Sequence, residues 1–148
     1  MIKENKHFNA LSEGYILKNF KIINVLGSGG FGIAYLAEDI HLEKIFVIKE
    51  YLPNEFSYRE PSTNTVHPKA SSETENYKWG LKEFINEAKT LAKFEHPNIV
   101  QVVQYFEANN TAYIVMGYVQ GKSLNELINN GETATEEEIR AIIINNTL

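Results

Sequence analysis

The chain has 148 residues, 43% of them hydrophobic, which suits one globular unit with a real core and is too short for two comfortable ones. A formal net charge of −5 excludes a general attraction to nucleic acid or an anionic membrane, and the absence of cysteine excludes disulfides, thiolate zinc sites and cysteine nucleophiles together. The N-terminal MIKENKHFNALSEGYIL lacks the apolar stretch of a secretory signal, and no apolar run approaches the roughly 20 residues that span a bilayer, so the expected location is cytoplasmic.

Residues 1–19 read as an N-terminal extension. FKIINVL, Phe20 to Leu26, is a short Ile- and Val-rich run that enters a glycine loop, GSGGFG, and IAYLAED leaves it with strand-like composition and no helix cap. After the polar turn HLEK, IFVIKEYL gives a third strand whose apolar residues bracket Lys49. The polar, aperiodic stretch over 53–77 carries Pro53, Pro61 and Pro68 and reads as a long loop or insertion.

Leu81, Phe84, Ile85, Ala88, Leu91 and Ala92 recur at spacings of three and four and predict a helix from about Trp79 to Phe94, ended by Pro97. NIVQVVQYFE and TAYIVMGYV add two strands around the turn-forming pair Asn109 and Asn110. The expected fold is therefore α+β, a five-stranded antiparallel sheet with one long helix over residues 20–119. Residues 120–148 differ in kind: Ser123 with Glu126 and Thr135 with Glu138 form capping boxes, Gly131 stops the first short helix, and Ile139, Ile142 and Ile143 give the second an apolar face with nothing later in the chain to cover it.

Gly27, Gly29 and Gly32 fall on a G-x-G-x-x-G spacing shared by two nucleotide-binding architectures. A dinucleotide fold, the mark of an oxidoreductase, needs strand, loop and helix, whereas a phosphate-covering flap needs strand, loop and strand. The residues after Gly32 favour the flap.

Together LGSGGFGIAY, the strand lysine of FVIK, the helix glutamate of FINEAKTL, HPNIV and VMGYVQGKSL stand in an order that resembles the N-terminal lobe of serine/threonine protein kinases. The resemblance implies ATP as ligand, with Leu26, Gly27, Ser28, Gly29, Gly30, Phe31 and Gly32 over the nucleotide and Ala34 and Val47 against its adenine. It also implies Met116 at the back of the pocket and the backbone of Gly117 and Val119 at the adenine edge, with residues 120–148 as a linker and the start of a second lobe. Lys49 would meet the phosphates and Glu87, a pairing that the residues also recommend: a lysine on a buried strand needs an anion, and Glu87 shares a helix side with Phe84 and Leu91. Where the family usually has valine and then alanine, Ala34 and Val47 reverse the order, a volume-conserving exchange in the expected pocket roof. Gly117 replaces a commonly acidic residue at no loss of a required side chain.

Phosphoryl transfer needs one aspartate at the accepting hydroxyl and another, with an asparagine, to hold magnesium. Asp39 is the only aspartate, and its place after the second strand reads as a solvated turn. Glu136 to Glu138 suit a helix N-terminus, and His7, His41, His67 and His96 have no metal-ligand spacing. Accordingly the expectation is ATP binding without catalysis by this chain alone, with Mg2+ and a protein substrate engaged only in the intact family. The alternative is a pseudokinase-like binding module with a protein partner on the isoleucine face.

Overall fold

The computed structural model describes residues 8–93 and 101–118. Its main sheet has six strands: β1 (Ile16–Leu17), β2 (Phe20–Ser28), β3 (Gly32–Asp39), β4 (Lys44–Tyr51), β7 (Val102–Ala108) and β8 (Thr111–Gly117), in the spatial order β1-β2-β3-β4-β8-β7. All five pairings are antiparallel. The expected five strands are present, and the two-residue β1 adds a sixth at the edge beside β2. Strand at Gly32–Asp39, where a dinucleotide fold requires a helix, removes the oxidoreductase alternative.

Burial alternates along β2 but not along β3, β4 and β8, because these three are covered on both faces. The register sorts their side chains. Ala34 opposite Lys49, Leu36 opposite Val47, and Met116 and Ile114 opposite Val47 and Lys49 share one face. Tyr35 opposite Ile48, and Tyr113 opposite Glu50, share the other.

The long helix, α1 (Thr74–Leu91), starts five residues before the expected Trp79 and ends before Phe94. The early start follows from Tyr77, which the apolar periodicity did not include. It is buried in the first turn, its ring 5.3 Å from that of Tyr51. Phe84, Ala88 and Leu91 continue that buried face. Gly80 sits where α1 crosses Tyr51, and a Cβ there would collide with the tyrosine hydroxyl, which donates 2.9 Å to the Tyr77 carbonyl.

The segment over 53–77 is not a bare loop. It holds a hairpin, β5 (Ser57–Arg59) with β6 (Val66–Pro68), a 3₁₀ turn at Ser71–Glu73 and the first turn of α1. Ser57, Arg59 and Val66 are buried, so the hairpin packs on the body of the lobe despite its polar composition. It docks on the Asn109–Asn110 turn between β7 and β8, both of whose residues have positive φ as a two-residue hairpin turn requires. There the Val66 N–H donates to the Asn109 carbonyl at 2.9 Å, and Asn110 Nδ2 to the Val66 carbonyl at 2.8 Å.

Candidate nucleotide site

The loop between β2 and β3 is closed by the Gly29 N–H donating to the Gly32 carbonyl at 2.9 Å. The glycines have different reasons. A Cβ on Gly32 would run into the Glu50 backbone carbonyl, so glycine there lets β3 lie against β4. At Gly29 and Gly30 a Cβ would meet nothing within 4 Å, so the chain beside them is open to a ligand rather than filled.

Lys49 lies on the same sheet face, directly opposite Ala34, with 1% of its surface exposed. Its ammonium is buried without a hydrogen-bond partner among the described residues, and burial lowers its pKa to about 7. An orphaned cation is among the most costly arrangements a core can hold, and an anionic ligand relieves it. Ala34 and Val47 are both buried on this face, side by side on the diagonal rather than directly opposed. Met116 is fully buried and paired with Val47. The Gly117 N–H donates to the Gln101 carbonyl at 3.1 Å.

Glu87 and Lys49 form no ion pair in this structure. The two ion pairs among the described residues are Arg59 with Glu50 and His67 with Glu60. Phe84 and Ala88 seat α1 on the sheet and leave Glu87 half-buried on its flank. There the carboxylate keeps solvent instead of losing it to reach a neutralisable lysine.

Asp39 is also corrected: it is 5% exposed, not a solvated turn residue. Its Oδ1 accepts the N–H groups of His41 at 2.9 Å and Leu42 at 3.1 Å, which fixes the β3–β4 turn. Burial opposes its charge, but the bonds from Leu42, Asn19 and His41 outweigh burial and hold its pKa below the usual value.

Next to Lys49, on the opposite face, stands a group that sequence reasoning passed over. Glu50 is fully buried and its carboxylate is ringed by donors: Tyr35 Oη at 2.6 Å, Tyr113 Oη at 2.6 Å and the Arg59 guanidinium. Arg59 in turn donates to the Asn9 carbonyl at 2.7 Å and the Asn64 carbonyl at 2.6 Å. The Leu11 N–H completes the Tyr35 hydroxyl at 3.0 Å. Burial, with the adjacent carboxylate, raises the pKa of both tyrosines and keeps them as donors. The only hint in the sequence was KEY, a charged pair set within an apolar strand.

Leu26, Gly27, Ser28 and Phe31 lie in or beside the loop, as expected from their positions. Val119, the HPNIV phrase, both capping boxes, and Ile139, Ile142 and Ile143 lie outside the described residues. Among the described residues no cluster of acidic and imidazole side chains could hold a metal ion, and no helix is long and apolar enough to cross a membrane.

Comparison with known proteins agrees with this geometry. The protein kinase domain family model matches residues 20–147. Among curated proteins, the chain is 32% identical over 109 residues to the serine/threonine-protein kinase PrkC of Bacillus subtilis, covering 74% of this chain and 14% of that protein. It is 31% identical over 119 residues to the probable serine/threonine-protein kinase YbdM of the same organism, covering 80% of this chain and 39% of the relative. Among solved structures, PpkA-294 in its apo form superposes with a TM-score of 0.74 at 36% identity, over 80% of this chain and 42% of that one. The PknI kinase domain of Mycobacterium tuberculosis, at 19% identity and a TM-score of 0.53 over 84% of this chain and 43% of that one, shares the fold. The chain thus spans less than half the length of each of these relatives. A glycine loop between two strands, a buried lysine opposite it and a helix packed across the sheet are the architecture of a kinase N-terminal lobe, and the chain belongs to the serine/threonine protein kinase family.

Proposed function

We propose that this chain is the ATP-binding lobe of a serine/threonine protein kinase whose intact form passes the γ-phosphoryl group of ATP to a protein hydroxyl. The observation that carries the reading is Lys49 Nζ, buried and unpartnered on the face below the glycine loop. A triphosphate supplies the missing anion, and the open flanks of Gly29 and Gly30 admit it. Ala34, Val47 and Leu26 offer apolar contact to the adenine, Met116 closes the pocket behind it, and Glu87 joins Lys49 once bound phosphate keeps the lysine charged. The backbone of Gly117 and Val119 serves the adenine edge.

Asp39 is committed to its turn by two backbone N–H groups, so the role offered by these residues is to hold the nucleotide. Mg2+ and a protein substrate belong to the reaction of the intact kinase, and the setting is cytoplasmic. The alternative is a non-catalytic binding module.

Calorimetric titration of the 148-residue chain with ATP and with adenosine tests the proposal. Saturable ATP binding is expected, weakened at least about tenfold in Lys49→Met with adenosine affinity kept. Absence of saturable binding to wild type defeats the reading. Phosphate transfer to a generic protein substrate by a longer chain that contains these residues separates the kinase from the non-catalytic module.

A further inference from the structure

Three consecutive carbonyls of the glycine loop are held from one side by the segment that follows β4. The Leu52 N–H donates to the Phe31 carbonyl and the Asn54 N–H to the Gly30 carbonyl, both at 2.9 Å, while Asn54 Nδ2 reaches the Gly29 carbonyl at 3.3 Å. Every peptide bond among the described residues is trans, and in a trans peptide the carbonyl and the following N–H point in opposite directions. Fixing these carbonyls toward Leu52–Asn54 therefore turns the N–H groups of Gly30, Phe31 and Gly32 to the other side, as three successive donors. Successive N–H groups with one orientation form an anion-binding concavity.

Asn54 is itself held. Asn9 Nδ2 donates to Asn54 Oδ1 at 3.3 Å, which fixes the amide so that its NH2 faces Gly29. The backbone of Asn9 is in turn gripped by the Arg59 guanidinium, whose other end pairs with buried Glu50. The chain of contacts runs from the sheet interior through the hairpin and the N-terminal extension to the tip of the loop.

We propose that Asn54 is a positioning residue for phosphate binding: through the loop carbonyls it orients the backbone donors that receive the nucleotide's phosphates, and Asn9 orients Asn54. The inference rests on the nucleotide reading above and deepens it. Asn54 is exposed, so its replacement leaves the core intact. A purely structural role would affect every ligand equally, whereas a positioning role separates ligands that carry phosphates from one that does not.

The test compares wild type, Asn54→Ala and Asn9→Ala by titration with ATP and adenosine, and by amide hydrogen exchange without nucleotide. Asn54→Ala is expected to weaken ATP binding about three- to tenfold with adenosine unchanged, and Asn9→Ala to act in the same direction by less. Exchange of the backbone amides at positions 52 and 54, which donate to the loop carbonyls, should accelerate in Asn54→Ala, while that of α1 stays as in wild type. Unchanged ATP affinity in Asn54→Ala, or an equal loss for ATP and adenosine, overturns the proposal, and so does unchanged exchange at these two amides. If wild type binds neither ligand, the nucleotide reading fails, and the exchange measurement alone still decides whether Asn54 holds the loop.

Discussion

Lys49 and Glu50 are neighbours on one strand, both buried, and their surroundings are opposite. The glutamate has two tyrosine hydroxyls and a guanidinium on its oxygens, while the lysine has nothing on its ammonium. Because successive strand residues face opposite sides of a sheet, one β-strand presents a finished polar core on one face and an unfinished one on the other. The saturated face holds the lobe together by tying the N-terminal extension and the β5–β6 hairpin to β3, β4 and β8. The unsaturated face forgoes stability by leaving a buried amine unmatched.

The sharpest way to break this contrast is Glu50→Ala, which strands Arg59 and two tyrosine hydroxyls in the interior. It should lower unfolding stability by about 4 kcal/mol in urea titration, and a loss below about 1 kcal/mol would mean that the network is not the anchor of that face. Lys49→Met should move stability the other way. The folded-state pKa of Lys49, about 7, lies below the ordinary lysine value, so between pH 7 and about 10 the unfolded chain binds a proton that the folded chain does not. Wild-type stability should therefore rise over that window, by on the order of 3 kcal/mol between pH 7 and 9.5, and fall again above pH 10 as the unfolded chain's tyrosines ionise. In Lys49→Met the rise should vanish and the pH 7 stability should increase; a rise that survives the substitution would assign it elsewhere.

Gly80→Ala tests how the helix is set against the lysine's face. The added methyl meets the Tyr51 hydroxyl, so despite the better helix propensity of alanine a net loss of about 2 kcal/mol is expected, recovered in part by Tyr51→Phe. Asp39→Ala, distant from both charges, should lose about 1 kcal/mol, through its two turn hydrogen bonds, and leave ATP affinity unchanged. A fall in ATP affinity there would show that the two faces are less separate than the sheet register suggests.

Local pattern carried the lobe's outline. Strands flanking the glycine loop, a period near 3.6 from Leu81 to Leu91, and two asparagines able to take positive φ between β7 and β8 each need only a few adjacent residues to be legible. Lys49 was legible as a buried cation for the same reason. The hairpin was not, because the three residues of β5 and the three of β6 are too few for a period and too polar to suggest burial.

Nor could the sequence foresee the role of Glu50, whose partners lie 9, 15 and 63 positions away and acquire meaning only when β3, β4 and β8 pair in register. The start of α1 at Thr74 was decided by Tyr77 finding Tyr51, 26 residues earlier in the chain. The separation of Glu87 from Lys49 depends on how far the helix leans on the sheet, a matter of packing between Phe84, Ala88 and the strands that no spacing encodes. Residue order determined which elements form and which side chains carry charge, because propensity and periodicity are local. Which of those charges are matched was decided by tertiary structure, because matching requires two distant segments to reach the same few ångströms.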